Sequence, residues 1–351
     1  MRNATIIGAA SWLPEHVREN SAWPKEIVEN LGRRNADLRE RFLADLQVDE
    51  SSSAMQDYIR QEMDDVFLGA RRRRIVSPDT TSYHAEYLAA ERLLTRLSID
   101  RRRIRHVLSY SGVPDHVYQH SGSYVAQKLG LEDYRSYGID TACSSVIAQL
   151  DLGRSLIRSG DAEYVLLLQS HLWSKMFPMA HPAAPGIGDA ATAILLGPCD
   201  EGQGILACEA RTQGDFFQAV VFKRNDDRDW WLPGTVPVLL SSNAPAAAKQ
   251  LIYSTVANAR RDISAALERA AMPADAVNYL CSTQPRFWIP RAIGKEFGWR
   301  EDQCVDLFHE YAHTGVCGPV LNLIEVLRPG TNVVLYSQGA GFTSGAAVLK
   351  L

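Results

Sequence analysis

The order strand, loop, reactive-looking residue, helix occurs twice along this chain, once in each half. In the first half, apolar residues at helical spacing run from His84 to Leu97. A strand-like Val107–Tyr110 follows, then a helix around 123–129, and Tyr137–Asp140 leads into Thr141-Ala142-Cys143-Ser144-Ser145. The spacing predicts a helix over Val146–Ser159, stopped by Gly160. Tyr164–Leu168 is then a continuous apolar run, as a strand covered on both faces requires. After Gly202 the pattern recurs: a long helix over 246–271, a strand at Val277–Cys281, a loop from Tyr311 to Gly318 opening a helix over Val320–Leu327, and a buried strand at Val333–Tyr336. Two similar α/β halves, their sheets covered by helices, account for this order, and 351 residues are enough for one duplicated unit.

Composition narrows the function. A formal net charge of -4 leaves no basic excess to neutralise a nucleic-acid backbone, so no nucleic-acid partner is expected. The apolar run Ala4–Ala10 is too short for a secretory signal and reads as a first buried strand ending at Pro14. No apolar run reaches the ~18 residues a membrane helix needs. The expectation is a soluble, cytoplasmic protein. Six cysteines without a CxxC pair read as reduced thiols rather than a disulfide framework. Residues Asn20–Arg74 look helical and highly charged, and Arg71–Arg74 reads either as a docking patch for an acidic partner or as a solvated turn.

Cys143 is the candidate nucleophile. It sits between small residues at the start of a helix, where unpaired N–H groups and a partial positive charge favour thiolate. The same N–H groups can hold an oxyanion.

Asp140-Thr141-Ala142-Cys143-Ser144-Ser145 resembles the nucleophile motif of the β-ketoacyl-ACP synthase III family. Ile187-Gly188-Asp189-Ala190-Ala191-Thr192-Ala193 resembles its Gly-Asp-Gly-Ala loop. Arg328-Pro329-Gly330 and Gly339-Ala340-Gly341-Phe342-Thr343-Ser344-Gly345 resemble its C-terminal signature, and Ala4–Pro14 and Gly69–Pro78 match its start. The likeness covers nearly the whole chain, broken by a charged helical insertion within about 31–65. It implies a five-layered αβαβα thiolase fold with two pseudo-repeated halves, 1–195 carrying the cysteine and 196–351 carrying the histidine and glycine loop. It also implies a homodimer, an acyl group taken from an acyl carrier protein or coenzyme A thioester, and an oxyanion hole formed by the N–H groups of Cys143 and Ala340. The thioester is a substrate, and no cofactor is expected.

Departures from the family pattern decide the chemistry. Its first catalytic histidine falls at Thr283 and its asparagine at His313, a place where related synthases carry histidine. The phenylalanine before the glycine loop is Gln338, and the residues that clamp the adenine of coenzyme A have no match near Met63 and Phe67. Decarboxylating a malonyl group needs two polar partners for the enolate, so losing one histidine weakens condensation by roughly 100-fold or more. Cys143 with His313 as general base is enough to accept an acyl group and pass it to a hydroxyl or amine of a small-molecule acceptor, as in natural-product tailoring. Thr283 is a positioning hydroxyl or a filler. Gln338, Gly339, Gly341, His171 and Trp173 are candidates for the substrate pocket, with His181 beside them.

Two other readings remain open: Claisen condensation with His313 and backbone groups alone, and a catalytically silent subunit that binds a carrier protein. His309-Glu310-Tyr311-Ala312-His313 is also a formal H-E-x-x-H, but the run turns at once into a loop, whereas zinc proteases hold both histidines on one helix. No metal site is expected. His116 and His120 read as a surface or pocket-rim pair.

Overall fold

The apolar run at Tyr164–Leu168 becomes the middle of a strand buried along its whole length. The computed structural model describes residues 2–46, 53–226, 228–229, 231–232, 238–340 and 343–351. The first half contributes β1 (Asn3–Trp12), β2 (Val17–Glu19), α1 (Lys25–Leu46), α2 (Ser53–Asp64), β3 (Arg72–Arg74), α3 (Ser82–Leu97), β4 (Ile104–Ser111), α4 (Gly122–Lys128), β5 (Arg135–Gly138), α5 (Ser145–Ser159), β6 (Tyr164–His171) and β7 (Ala190–Cys199). The second contributes β8 (Gly204–Thr212), β9 (Val221–Arg224), β10 (Val238–Ser241), α6 (Pro245–Arg269), β11 (Tyr279–Ser282), α7 (Ile289–Phe297), α8 (Phe308–Tyr311), α9 (Gly318–Val326), β12 (Asn332–Gly339) and β13 (Thr343–Lys350).

Two main sheets carry the fold, and their strand orders match. The first runs β1-β7-β6-β4-β5 and the second β8-β13-β12-β11. In both, the first two pairings are antiparallel and the third is parallel. The chain crosses from one sheet to the other in the turn at 200–203.

Strand alternation builds the layers. Val165 and Leu167 of β6 face inward onto Val146, Ile147 and Leu150 of α5, in a cluster that also holds Val320 and Leu323 of α9 and Val333 and Leu335 of β12. Leu166 and Leu168 point the other way, against Ala89, Leu93 and Leu94 of α3. On the far side, Val334 of β12 and Val348 of β13 pack on Ile263 of α6 and Ile293 of α7. Successive side chains of one strand thus bury on opposite faces, and the result is helix, sheet, paired central helices, sheet, helix. This is the five-layered thiolase arrangement with two pseudo-repeated halves.

The insertion forms α1 and α2, and its residues 47–52 lie outside the described residues. Trp23, Ile27 and Leu31 pack with Phe177, Ala184 and Ile187, beside the segment leading to β7. At the other end, buried Glu62 pairs with Arg286 and accepts from Trp288 Nε1 at 2.7 Å, while Tyr58 stacks on the Trp288 ring. The insertion is therefore tied to the loop after β11.

The arginine run is largely built into the fold, with Arg71 and Arg72 exposed. Arg72–Arg74 is strand β3, paired with β2. Arg73 is fully buried and donates to Asn20 Oδ1 (2.7 Å) and Pro185 O (2.6 Å), with burial lowering its pKa to about 10. Arg72 pairs with Glu310, and Arg74 donates to Pro14 O at 3.2 Å. Three of the four guanidinium groups are spent holding the chain together. Among the described residues, no helix is long and apolar enough to cross a membrane.

Candidate active site

Residues Asp140–Ser145 form a sharp elbow into α5. Ala142 N–H donates to Asp140 Oδ1 and Thr141 N–H to Ser145 Oγ, both at 2.9 Å, and Ser144 Oγ donates to Thr141 O at 2.6 Å. Ala142 is left-handed at φ 54°, a conformation costing roughly 1–3 kcal/mol that persists only where the surroundings impose it. Cys143 is 8% exposed. Its own N–H and that of Ala340 both hydrogen-bond toward the sulfur. Gly339 allows this: a Cβ there would lie 2.2 Å from Thr141 O and 2.9 Å from Cys143 N. Only glycine lets the end of β12 lie against the elbow and present the Ala340 N–H.

Burial pushes the Cys143 thiol up to about 12, and the two N–H groups offset that only in part. The expectation of a thiolate at a helix start is corrected here. Exclusion of water outweighs the local dipoles, so forming the nucleophile needs a base.

His313 follows Ala312, whose φ of 55° ends α8. Its backbone is zipped to the Gly-Asp loop: His313 N–H donates to Gly186 O (2.8 Å) and Gly188 N–H to His313 O (3.0 Å). Its Nδ1 lies 3.1 Å from Gln284 O. A carbonyl only accepts, so Nδ1 carries the proton and Nε2 keeps its lone pair. Burial lowers the His313 pKa to about 4, opposed by the Gln284 carbonyl and assisted by the Arg286 charge. The imidazole is neutral near pH 7 and equipped as a base. His309, by contrast, turns its Nδ1 to Gly69 O at 2.7 Å, and α8 has only four residues. The two histidines share no helix face, and the H-E-x-x-H reading loses its geometric premise.

Thr283 is buried and its hydroxyl is committed. Oγ1 lies 2.5 Å from Ser337 Oγ, which donates to the Cys143 carbonyl at 2.6 Å. Ser337 has one hydrogen and spends it on that carbonyl. Thr283 therefore donates to Ser337 and accepts from Gln338 N–H at 3.3 Å. Its hydroxyl props, through Ser337, the backbone that carries Cys143.

His171, at the end of β6, is buried with Nδ1 3.2 Å from Gly188 O and Nε2 without a partner. Its ring stacks on Trp173 (4.5 Å) and meets His313 edge-on (5.4 Å). Burial first, then the neighbouring His313, hold its pKa well below the usual histidine value. Trp173 is half-buried, donates to Gly112 O at 3.3 Å and touches Phe222. Gln338 is half-buried and accepts from Tyr336 OH at 3.1 Å. Gly341 lies outside the described residues. His181 packs on Phe177, while His116 and His120 are exposed on the loop after β4.

Four residues at this site have no signature in the sequence. Gln284 holds His313 through its backbone carbonyl, and Ser337 braces Cys143. Gly315 (φ 52°) makes room for the His171 ring, which a Cβ would meet at 2.0 Å. Tyr110 lies near the nucleophile: burial, then the charges of Cys143, Asp140 and Cys317, raise its phenol well above its usual value.

The family model for 3-oxoacyl-[acyl-carrier-protein] synthase III matches residues 137–214, and the model for its C-terminal part matches residues 267–351. These spans hold the elbow, the Gly-Asp loop, Thr283, His313 and Ala340. The chain resembles the β-ketoacyl-ACP synthase III family in both halves and has the thiolase fold. A β-ketoacyl-[acyl-carrier-protein] synthase III of Pectobacterium atrosepticum is 23% identical over 351 residues, covering 98% of each chain. The Granulibacter bethesdensis synthase III is 24% identical over the full length of both. Among solved structures, the Thermus thermophilus synthase III superposes with a TM-score of 0.78 at 21% identity, covering 99% of each chain. A priming β-ketosynthase of a polyketide pathway superposes at 0.79 and 18% identity, covering 99% of this chain and 96% of that one. This synthase III-like protein is a thiolase-like enzyme in which Cys143 at the elbow, a buried neutral His313 and the N–H groups of Cys143 and Ala340 are the candidate site groups.

Proposed function

We propose that this protein is an acyltransferase that loads an acyl group from a carrier-protein or coenzyme A thioester onto Cys143 and passes it to a hydroxyl or amine. The observation that carries this reading is the commitment of the Thr283 hydroxyl to Ser337 and, through it, to the Cys143 carbonyl. At the position of the family's first histidine there is no group free to hold an enolate. His313 Nε2 takes the Cys143 proton, and the sulfur attacks the thioester carbonyl. The N–H groups of Cys143 and Ala340 hold the oxyanion, and the departing thiol recovers the proton from His313. In the second half, His313 takes the proton of the acceptor O–H or N–H, the acceptor attacks the Cys143 thioester, and the cysteine leaves reprotonated. One base and one pair of donors suffice for both halves.

Condensation is the second reading, favoured by the names of the curated relatives, which are condensing synthases. Transfer in secondary metabolism, a homodimer and a cytoplasmic setting belong to the same proposal, consistent with the likeness to a polyketide priming synthase. Intact-protein mass after incubation with acyl-carrier and acyl-coenzyme A thioesters tests it, with Cys143→Ala alongside. An adduct of unaltered acyl mass that then disappears onto an alcohol or amine supports transfer. Release of carbon dioxide from a malonyl thioester with formation of a β-ketoacyl product would replace transfer by condensation. The absence of any adduct would leave the silent carrier-binding subunit.

A further inference from the structure

The end of α5 remote from Cys143 borders a second cavity. Arg154 and Arg158 lie roughly 15–20 Å from the start of this helix, at about 1.5 Å per residue. With Arg2, Asn3, Glu201 and Arg269 they line a space of about 200 Å³ at the seam between the halves, where β1 and α5 meet β8 and α6. Four arginines line it with Glu201, while Glu209 pairs with Arg269 and Asp151 acts on Arg154 and Arg269 from nearby.

Two of the arginines are braced by the fold and two stand at its surface. Arg154, half-buried, donates through Nε to Asn3 Oδ1 (3.2 Å) and through Nη2 to Leu206 O (2.9 Å). Arg269 pairs with Glu209 at 2.5 Å. Arg2 and Arg158 are exposed at the rim, and Arg2 also acts on Glu163. Like charges gathered in one concavity repel, and their convergence is favourable once a multivalent anion sits among them. The guanidinium fork fits phosphate oxygens two at a time. The volume lies below the roughly 300–1,000 Å³ of a drug-sized site, which sets the size of the ligand.

We propose that this cavity binds a small phosphate anion of about diphosphate size, at a site separate from the acyl centre. Binding bridges the two halves and stabilises the folded state by mass action. The test is calorimetric titration of the full chain with sodium diphosphate at constant ionic strength, with thermal melts in parallel. Saturable binding is expected, with a melting temperature that climbs with ligand concentration. Arg158→Glu should weaken binding roughly tenfold or more, because it removes a charged donor and adds repulsion, and Arg158→Lys should retain part of it. Acylation of Cys143 should be unchanged in both variants, and circular dichroism checks their folding. A nucleoside diphosphate binding more tightly than inorganic diphosphate would place the source among nucleotides, and the reverse would place it among free phosphates. Absence of saturable binding at constant ionic strength overturns the proposal. So does equal affinity in Arg158→Glu, or citrate binding as tightly as diphosphate.

Discussion

The Ser337 hydroxyl donates to the carbonyl oxygen of Cys143 at 2.6 Å and is itself the acceptor for Thr283. The nucleophile's peptide is thus fixed from the second half of the chain. Ser337→Ala should take this donor from the Cys143 carbonyl, while Thr283 Oγ1 keeps Gln338 N–H and turns its hydrogen to Tyr336 O, and cost about 1–3 kcal/mol in denaturant unfolding. Acyl loading should slow as the elbow loosens. Unchanged stability and loading would show the bridge to be incidental.

Gly339→Ala should lower both rate and stability, since the clash is with backbone. The added methyl would meet Thr141 O and Cys143 N and push the Ala340 N–H out of line. Loss of one oxyanion donor lowers acylation by ~100-fold or more. Single-turnover loading of Cys143 measures it, and a rate within a few-fold of wild type would remove Ala340 from the oxyanion hole.

His313 sets a pH window. The unfolded imidazole takes its proton near 6.5, the folded one only near 4. Between these values the unfolded state holds the extra proton, so stability is complete above 6.5 and is lost as pH falls toward 4. His171, lowered for the same reason, adds in the same direction. The acid limb of acyl loading should fall near pH 4. A limb near 6.5 would mean that the working base is solvated.

Gly315 and His171 should behave as one unit. Gly315→Ala places a methyl on the His171 ring in a left-handed backbone, at a cost of about 2–4 kcal/mol. His171→Ala should relieve part of that. A double-mutant cycle in urea should return a coupling of about 1–3 kcal/mol, whereas additive effects would mean that the ring is free to move aside.

Glu62→Ala tests the anchoring of the insertion. Trp288 Nε1 and the Arg286 guanidinium would both lose their partner, for about 2–3 kcal/mol. Limited proteolysis within 31–65 should speed up in the variant.

The layered fold was legible because its signals are local and periodic. The run at Tyr164–Leu168 reads as a doubly covered strand, and Val146–Ser159 reads as the helix after the nucleophile. The nucleophile loop and the His313 position were legible as motifs, since each is a short string. What escaped depends on contacts between distant segments. Arg73 looks like a surface charge until β2 and Pro185 enclose it. Thr283 is ambiguous until Ser337, more than fifty residues on, takes its hydrogen. The Cys143 thiolate was inferred from a helix start, a local cue, while the burial that overrides it comes from the whole fold.

The matched strand orders of the two sheets carry one more consequence. Each half delivers a cysteine to the head of its central helix, Cys143 ahead of α5 and Cys317 ahead of α9. Cys317 is sealed off completely, its thiol donates to Ala190 O at 3.4 Å, and burial raises it further than Cys143. The duplicated architecture thus offers two matching posts for a sulfur and seals one of them completely, while the other keeps 8% of its surface open. Reactivity here follows the company a cysteine keeps rather than its address in the repeat.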